Sequence, residues 1–392
     1  IILTLSLIFI LPITVLGDSY INSNAFGSEL VNLKTYLNIN DTISVINFES
    51  VDNITITGAD ISRDGDNSVI AKVDYVNDLL TIQFKGKIIL PEDSSFLFMG
   101  FDTVKEINGL EYLDTSNISN LYGFFGNCKS LLNLDLSSWD TSNVTSMFAL
   151  FFGCENLITL DVSNFVTSNV TTMQSMFYGL KKVTYLDVSN FDTKNVTNLN
   201  GLFGDCASLT SIDVSNFITN NVENFGSMFS GCKSLKNIDL SIFDTKKATF
   251  MGSMFDNCES LTSIDVSNFD THNVTHMACM FENCFSLTSL DLSNFNTSNV
   301  LSFGGMFYGL KNVKHIDGLE HFDTSKCIQF DLMFGYCDSL EYLDLSSFDI
   351  SSGTTFAGMF INDLNLTTIY VNSDWASESL NTSAIFFNKC FI

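Results

Sequence analysis

Leu261-Thr-Ser-Ile-Asp-Val-Ser-Asn-Phe269, continued by Asp270-Thr-His-Asn-Val-Thr-His-Met-Ala-Cys-Met-Phe-Glu-Asn-Cys284, is one copy of a pattern that recurs along most of the chain. Aligned on its aromatic, the pattern returns at Phe125, Phe151, Phe177, Phe203, Phe229, Phe255, Phe281 and Phe307, each 26 residues after the last, and then at Phe334 and Phe360 after one single-residue insertion. A second column, Asp135, Asp161, Asp187, Asp213, Asp239, Asp265 and Asp291, keeps the same step. A fixed period of this length is the signature of a solenoid.

Each copy has two physically different halves. In the first, Ile264 and Val266 alternate with Ser263, Asp265 and Ser267, the pattern of a strand with one buried face. In the second, Val274, Met277, Met280, Phe281 and Cys284 share one face of a short helix or 3₁₀ segment. Asp140-Thr-Ser-Asn143 and its equivalents sit between the halves, with oxygens suited to capping that helical turn. Residues that tolerate positive φ follow the second half: Asn127, Gly153, Gly179, Asp205, Gly231, Asn257, Asn283 and Gly309. Tyr336 breaks that column, and Gly335 beside it is the expected substitute. One coil buries too little apolar surface to offset the entropy of ordering its 26 residues, so stability must be collective. The reading is an α/β repeat solenoid: a right-handed leucine-rich-repeat array of 26-residue coils, with a parallel β-sheet on its concave face and short helices or 3₁₀ turns on its convex face.

Leu287-Thr-Ser-Leu-Asp-Leu-Ser-Asn-Phe295 and Asp140-Thr-Ser-Asn-Val-Thr-Ser-Met147 closely resemble the signature of the BspA-like leucine-rich repeat surface proteins. The likeness covers roughly residues 90 to 370, opening with Leu90-Pro-Glu-Asp-Ser-Ser-Phe-Leu-Phe98, which is similar to that family's entry segment. It implies cell-surface display and, in some members, adhesion to host proteins or other cells. It names no ligand.

Outside the repeats, Ile1 to Gly17 is apolar up to the first charge at Asp18 and reads as a signal peptide, truncated at its start because it has no initiator Met and no basic segment. An uncleaved anchor is the alternative, although the run is short for a full span. Residues 18–90 form a β-rich cap in which Ile54–Thr57 and Leu80–Phe84 are the expected strands, 91–371 the solenoid, and 372–392 a closing cap. Leu366-Thr-Thr-Ile-Tyr-Val371 keeps the strand while Tyr370 replaces the column Asp. The 44 acidic residues against 18 basic ones give a net charge of −26, and Arg63 is the sole arginine, which disfavours nucleic acid and anionic membrane. No membrane insertion is expected after signal cleavage, and a monomer is expected.

Three columns are candidates for chemistry. Stacked strands place Asp161, Asp187, Asp213, Asp239, Asp265 and Asp291 about 4.8 Å apart, where neighbours repel by roughly 0.9 kcal/mol even at water's dielectric. Hydrogen bonds from Ser137, Ser163, Ser189, Ser215, Ser241, Ser267 and Ser293 relieve this in one reading; a Ca²⁺ ladder does so in the other. Two residues before each Asp lies a variable column, Asn133, Thr159, Tyr185, Ser211, Asn237, Ser263, Ser289, His315 and Tyr342, in which Tyr185, His315 and Tyr342 are the candidate partner-binding residues. Cys128, Cys154, Cys206, Cys232, Cys258, Cys284 and Cys337 share a column in which Leu180 and Leu310 also occur, so buried thiols and inter-coil disulfides both remain open. His272, His276 and Cys279 hint at zinc, although each substitutes a variable position. Asn-x-Ser/Thr sequons at Asn117, Asn143, Asn169, Asn195, Asn273 and Asn296 arise from the corner sequence itself.

Catalysis is not expected: there are four histidines, no phosphate-binding loop and no nucleophile elbow, and the acidic column is uniform where an active site needs unlike carboxylates. A secreted or surface adhesin using the concave face on an extracellular protein or glycan is the leading reading, and a passive structural or spacer element of the envelope the alternative. Calcium titration separates the two readings of the Asp column: with serine hydrogen bonding, millimolar Ca²⁺ leaves the melting temperature unchanged, whereas a Ca²⁺ ladder raises it.

Overall fold

The computed structural model describes residues 19–20, 32–40, 42–62 and 65–376. The leader segment, Arg63 and most of the C-terminal cap lie outside the described residues. Three elements, β1 (Ser19–Tyr20), α1 (Leu33–Tyr36) and β2 (Val45–Ser50), precede β3 (Ala59–Asp60), β4 (Val69–Asp74), β5 (Leu79–Phe84) and β6 (Ile88–Ile89). The first repeat then contributes β7 (Glu106–Asn108) and β8 (Leu113–Asp114). A five-stranded sheet runs β3-β4-β5-β2-β7, antiparallel across β3, β4 and β5 and parallel where β2 pairs with β5 and β7. The N-terminal sheet thus joins the repeats directly through Val45–Asn47 against Glu106–Asn108. Leu80–Phe84 lies in β5 as expected, but Ile54–Thr57 lies outside the strands. There the Gln83 side-chain oxygen takes the amides of Thr55 and Ile56 in place of a neighbouring strand.

The expected helical half is not helical. Every second amide of this segment donates to the next repeat: Met277 to Ser302 O, Cys279 to Gly304 O, Phe281 to Met306 O and Asn283 to Tyr308 O. The amides in between close turns on their own segment, Met280 to Met277 O, Glu282 to Cys279 O and Cys284 to Phe281 O. Such alternation needs left-handed residues four apart, here Cys279 (φ 57°) and Asn283 (φ 54°), at the third position of turns. The same pair recurs at Gly123 and Asn127, Ala149 and Gly153, Gly201 and Asp205, and Leu332 and Tyr336. Tyr336 itself takes the left-handed conformation at φ 60°, so Gly335 does not substitute for it. Parallel bridges from Asp93 and Asn120 through Ser146, Thr172, Asn198 and onward to Thr355 mark the start of each turn segment. The entry segment is the first layer of this stack, with Ser94, Phe96 and Phe98 donating to Asn120, Tyr122 and Phe124.

The Asp-bearing half is also looser than a full sheet. Parallel pairing is regular between β9 (Leu290–Asp291) and β10 (Ile316–Asp317) and between β11 (Tyr342–Leu345) and β12 (Thr368–Val371). Elsewhere backbone links such as Ile158 N to Leu132 O and Thr171 N to Thr145 O are isolated, and side chains add to them. At the corner, seven buried threonines bond both backbone groups of one residue in the next repeat, while Thr297 and Thr324 donate to Asp323 O and Asp349 O alone. Thr193 Oγ1 accepts from Ile218 N at 2.7 Å and donates to Ile218 O at 3.0 Å, and Thr115, Thr141, Thr167, Thr219, Thr245 and Thr271 do the same. Asn143, Asn169 and Asn195 reach back with their amides to carbonyls of the preceding repeat. The corner sequence therefore ties repeat to repeat and caps no helix.

Inside, the aromatic column forms one stack. Rings from Phe98 and Phe125 to Phe334 and Phe360 lie 5.4–6.4 Å apart within 21° of parallel, and all are fully buried. The single-residue insertion falls at Gly318, whose φ of 94° opens a 3₁₀ turn at Leu319–His321; a Cβ there would stand 2.5 Å from Ser293 N. The extra residue is absorbed in that turn, and the Phe stack continues from Phe307 to Phe334 with its largest tilt, 21°. Thr193→Val keeps the shape but orphans the amide and carbonyl of Ile218, each costing about 1–3 kcal/mol when buried. The expected outcome in denaturant unfolding is a loss of about 2–4 kcal/mol, against less than about 0.5 kcal/mol for Thr197→Val, whose exposed hydroxyl makes one long bond.

Candidate functional site

The Asp row is exposed, and each carboxylate is held by its own repeat. The Ser137, Ser163, Ser189, Ser215, Ser241, Ser267 and Ser293 amides donate to the Asp two residues earlier at 2.9–3.1 Å. The hydroxyls of Ser137 and Ser189 add a bond of 2.6 Å, and that of Ser293 also bonds its Asp. Serine hydroxyls first, and then serine amides, hold the carboxyls of Asp135, Asp161, Asp187, Asp213, Asp239, Asp265 and Asp291 below the usual carboxylate range. The row is thus ionised at neutral pH, and each charge already has hydrogen-bond donors. Among the described residues, no three His, Cys, Asp or Glu side chains gather around a common point that would hold a metal ion.

Of the variable column, the structure brings His315 and Tyr342 together. Their rings stack at 4.8 Å and 23°, and His315 Nε2 lies 3.0 Å from Asp317 Oδ1 in the Asp row. Tyr342 remains 41% exposed. Tyr185, 65% exposed, stands five repeats before His315 and belongs to no such pair among the described residues. Tyr370 of β12, at 57%, pairs in register with Asp344 of β11, so a third aromatic extends the exposed face at the C-terminal end.

The cysteine column is a ladder of thiols. All seven are buried and free, and each Sγ lies 3.1–3.2 Å from a phenylalanine carbonyl of the preceding repeat, as with Cys206 on Phe177 O and Cys232 on Phe203 O. The zinc candidates are not assembled. His272 Nδ1 is 2.5 Å from Asp270 Oδ1, the His276 ring stacks on Phe250 at 5.4 Å, and Cys279 Sγ lies 3.6 Å from Gly304 O.

One acidic group on the turn side is not signalled by the repeat pattern. Asp256 is half-buried, bonded by Asn257 Nδ2 at 2.6 Å and Ser230 Oγ at 3.3 Å. Burial first, and then the nearby Glu282, push its carboxyl up to about 6. It lies in a variable column, between Ser230 and Glu282 of the neighbouring repeats, so periodicity gave no hint of it.

A family model described as "Mycoplasma protein of unknown function, DUF285" matches the chain in overlapping copies at residues 93–210, 155–263, 179–290, 237–319 and 285–391. Among solved structures, a leucine-rich cell surface protein from Faecalibacterium prausnitzii A2-165 is 17% identical over 87% of this chain and 90% of that one, with a TM-score of 0.32. The functional domain of InlJ from Listeria monocytogenes, described as including a cysteine ladder, is 17% identical over 69% of this chain and 59% of that one, with a TM-score of 0.21. No curated protein sequence matches the chain.

The two kinds of carboxylate give opposite pH dependences. The Asp row, with lowered folded pKa values, contributes stability that is present above the unfolded value of about 3.9 and lost as pH falls through the folded values. Asp256, with a raised folded pKa, contributes stability that is full below that unfolded value and lost as pH rises through about 6. Asp363 is pushed further, up to about 7, chiefly by burial, so Asp256→Asn should reduce without abolishing the drop in melting temperature between about pH 4 and 6 and leave the acid-side loss intact. Identical pH profiles for the two proteins would contradict this assignment.

Proposed function

The chain belongs to the DUF285 family, a BspA-like repeat family, and from that premise we propose that it is a secreted or cell-surface binding protein, adhesin-like, that presents its Asp-bearing face to an extracellular protein or glycan. In this reading the repeats wind as right-handed 26-residue coils with the Asp row on the concave side. Residues 1–17 are the leader, 18–90 a β-rich cap, 91–371 the binding array and 372–392 a closing cap. No helix among the described residues is long and apolar enough to cross a membrane.

The observation that carries the reading is the contrast between two neighbouring columns. From Asp135 to Asp291 the Asp and Ser positions repeat with the same serine amide bond. The column beside them changes from repeat to repeat and carries exposed rings at Tyr185 and in the His315–Tyr342 stack. A fixed scaffold holding variable, partly apolar groups suits recognition, because exposed aromatics contribute disproportionately to interfaces. No catalytic step belongs to the reading, since the carboxylates of the row share one environment and none is set apart as acid or base.

The test is attachment of the purified protein to immobilised extracellular-matrix proteins and to glycan arrays. The Tyr185→Ala, Tyr342→Ala double variant should lose at least about tenfold in affinity, the equivalent of roughly 1.4 kcal/mol, with its melting temperature unchanged. Equal attachment by both proteins, or none by either, would favour a passive spacer in the envelope.

A further inference from the structure

The thiol ladder sets a condition on how the protein can be made. Equivalent residues of bridged repeats stand about 4.8 Å apart, inside the ~4.4–6.8 Å Cα range of a disulfide, so distance alone does not keep neighbouring cysteines from pairing. Cys206, Cys232, Cys258 and Cys284 occupy four successive repeats, and Cys128 and Cys154 two more. Yet every one of them is a free thiol with its side chain fully buried.

Two features of the interior account for this. Each S–H proton is committed to the carbonyl of a stacked phenylalanine in the preceding repeat, which aims Sγ at the backbone. No oxidant reaches a side chain with no exposed surface, and the reactive thiolate is suppressed as well, because burial pushes the Cys154 and Cys232 thiols up to about 12. Leu180 and Leu310 stand in the same column, also fully buried. The position therefore accepts a donor or an apolar group of that size.

We propose that the thiol ladder is a redox gate on folding: the repeats must stack while their cysteines are reduced, and once stacked they protect those thiols from an oxidising exterior. The unfolded chain has no such protection. Its ten cysteines offer more pairings than the 105 open to eight, and most of these join repeats that are not neighbours in the stack. Each cross-link exchanges two chain S–H groups and one glutathione disulfide for one chain disulfide and two glutathione thiols, whose sulfurs carry the two protons. The chain then loses two interior donors as well as its freedom to find register.

The experiment uses the purified full chain, with glutathione disulfide as oxidant and an aromatic disulfide reagent as thiol label, read by peptide mass spectrometry. In the native protein the seven column thiols should label at least about a thousandfold more slowly than in guanidinium, since access requires unfolding, and the unfolding midpoint should not move on exposure to glutathione disulfide. A chain unfolded, oxidised and returned to buffer should show no cooperative melting until dithiothreitol is added. Adjacent-repeat disulfides in the native protein, rapid native labelling of the column, or an oxidised chain that regains the reduced chain's melting curve would each overturn the proposal.

Discussion

The amide of every second residue in the turn segment points at the next repeat, and the rest of the molecule depends on that. Four such bonds per repeat fix the register in which everything else lines up. Phenylalanine rings lie nearly parallel because their backbones are bridged, and Sγ atoms meet carbonyls because those rings are stacked. The bond pattern also sets the composition of the segment. Two left-handed residues per repeat are needed to turn alternate amides back on their own segment. Most repeats meet this need with Gly, Asn, Asp or Ser, and Leu332 and Tyr336 meet it with side chains that rarely adopt such a backbone.

Where that ladder ends, side chains take over. The corner replaces strand pairing by a buried hydroxyl that acts as both donor and acceptor for one residue of the next repeat, so the interior loses no backbone group to desolvation. The Asp-bearing half has the fewest backbone links, and it is here that the chain is most polar and most variable. Carboxylates in a row repel one another, and the serine donors that hold them ionised leave that repulsion to solvent and counterions. The loosely tied, charged and partly aromatic face therefore sits on a tightly tied interior, and sequence can vary there without disturbing the core.

Much of this was legible in the sequence, and the misreadings have definite causes. The Phe column, the buried Val274-Met277-Met280-Phe281-Cys284 set and the serine partners of the Asp row follow from period and polarity alone. The helix expected for the second half was wrong because spacings of three, three, one and three place side chains on one side in a run of turns as well as in a helix. Its marker was the second left-handed column, hidden because Gly123, Ala149, Ser175 and Cys279 share no obvious chemistry. The threonine of the corner read as a cap because its partner lies 25 residues away, beyond any local motif. The stacking of His315 on Tyr342 required knowing that these repeats are neighbours despite the insertion at Gly318.

That insertion has an evolutionary corollary. One extra residue is tolerated only where a glycine and a tight turn can take up the slack, whereas a whole unit added or removed leaves every column in phase. Recombination between near-identical gene segments can therefore lengthen or shorten such a protein in steps of one layer, roughly 4.8 Å each, with no new interior to invent. Length becomes a heritable quantity that changes by whole numbers.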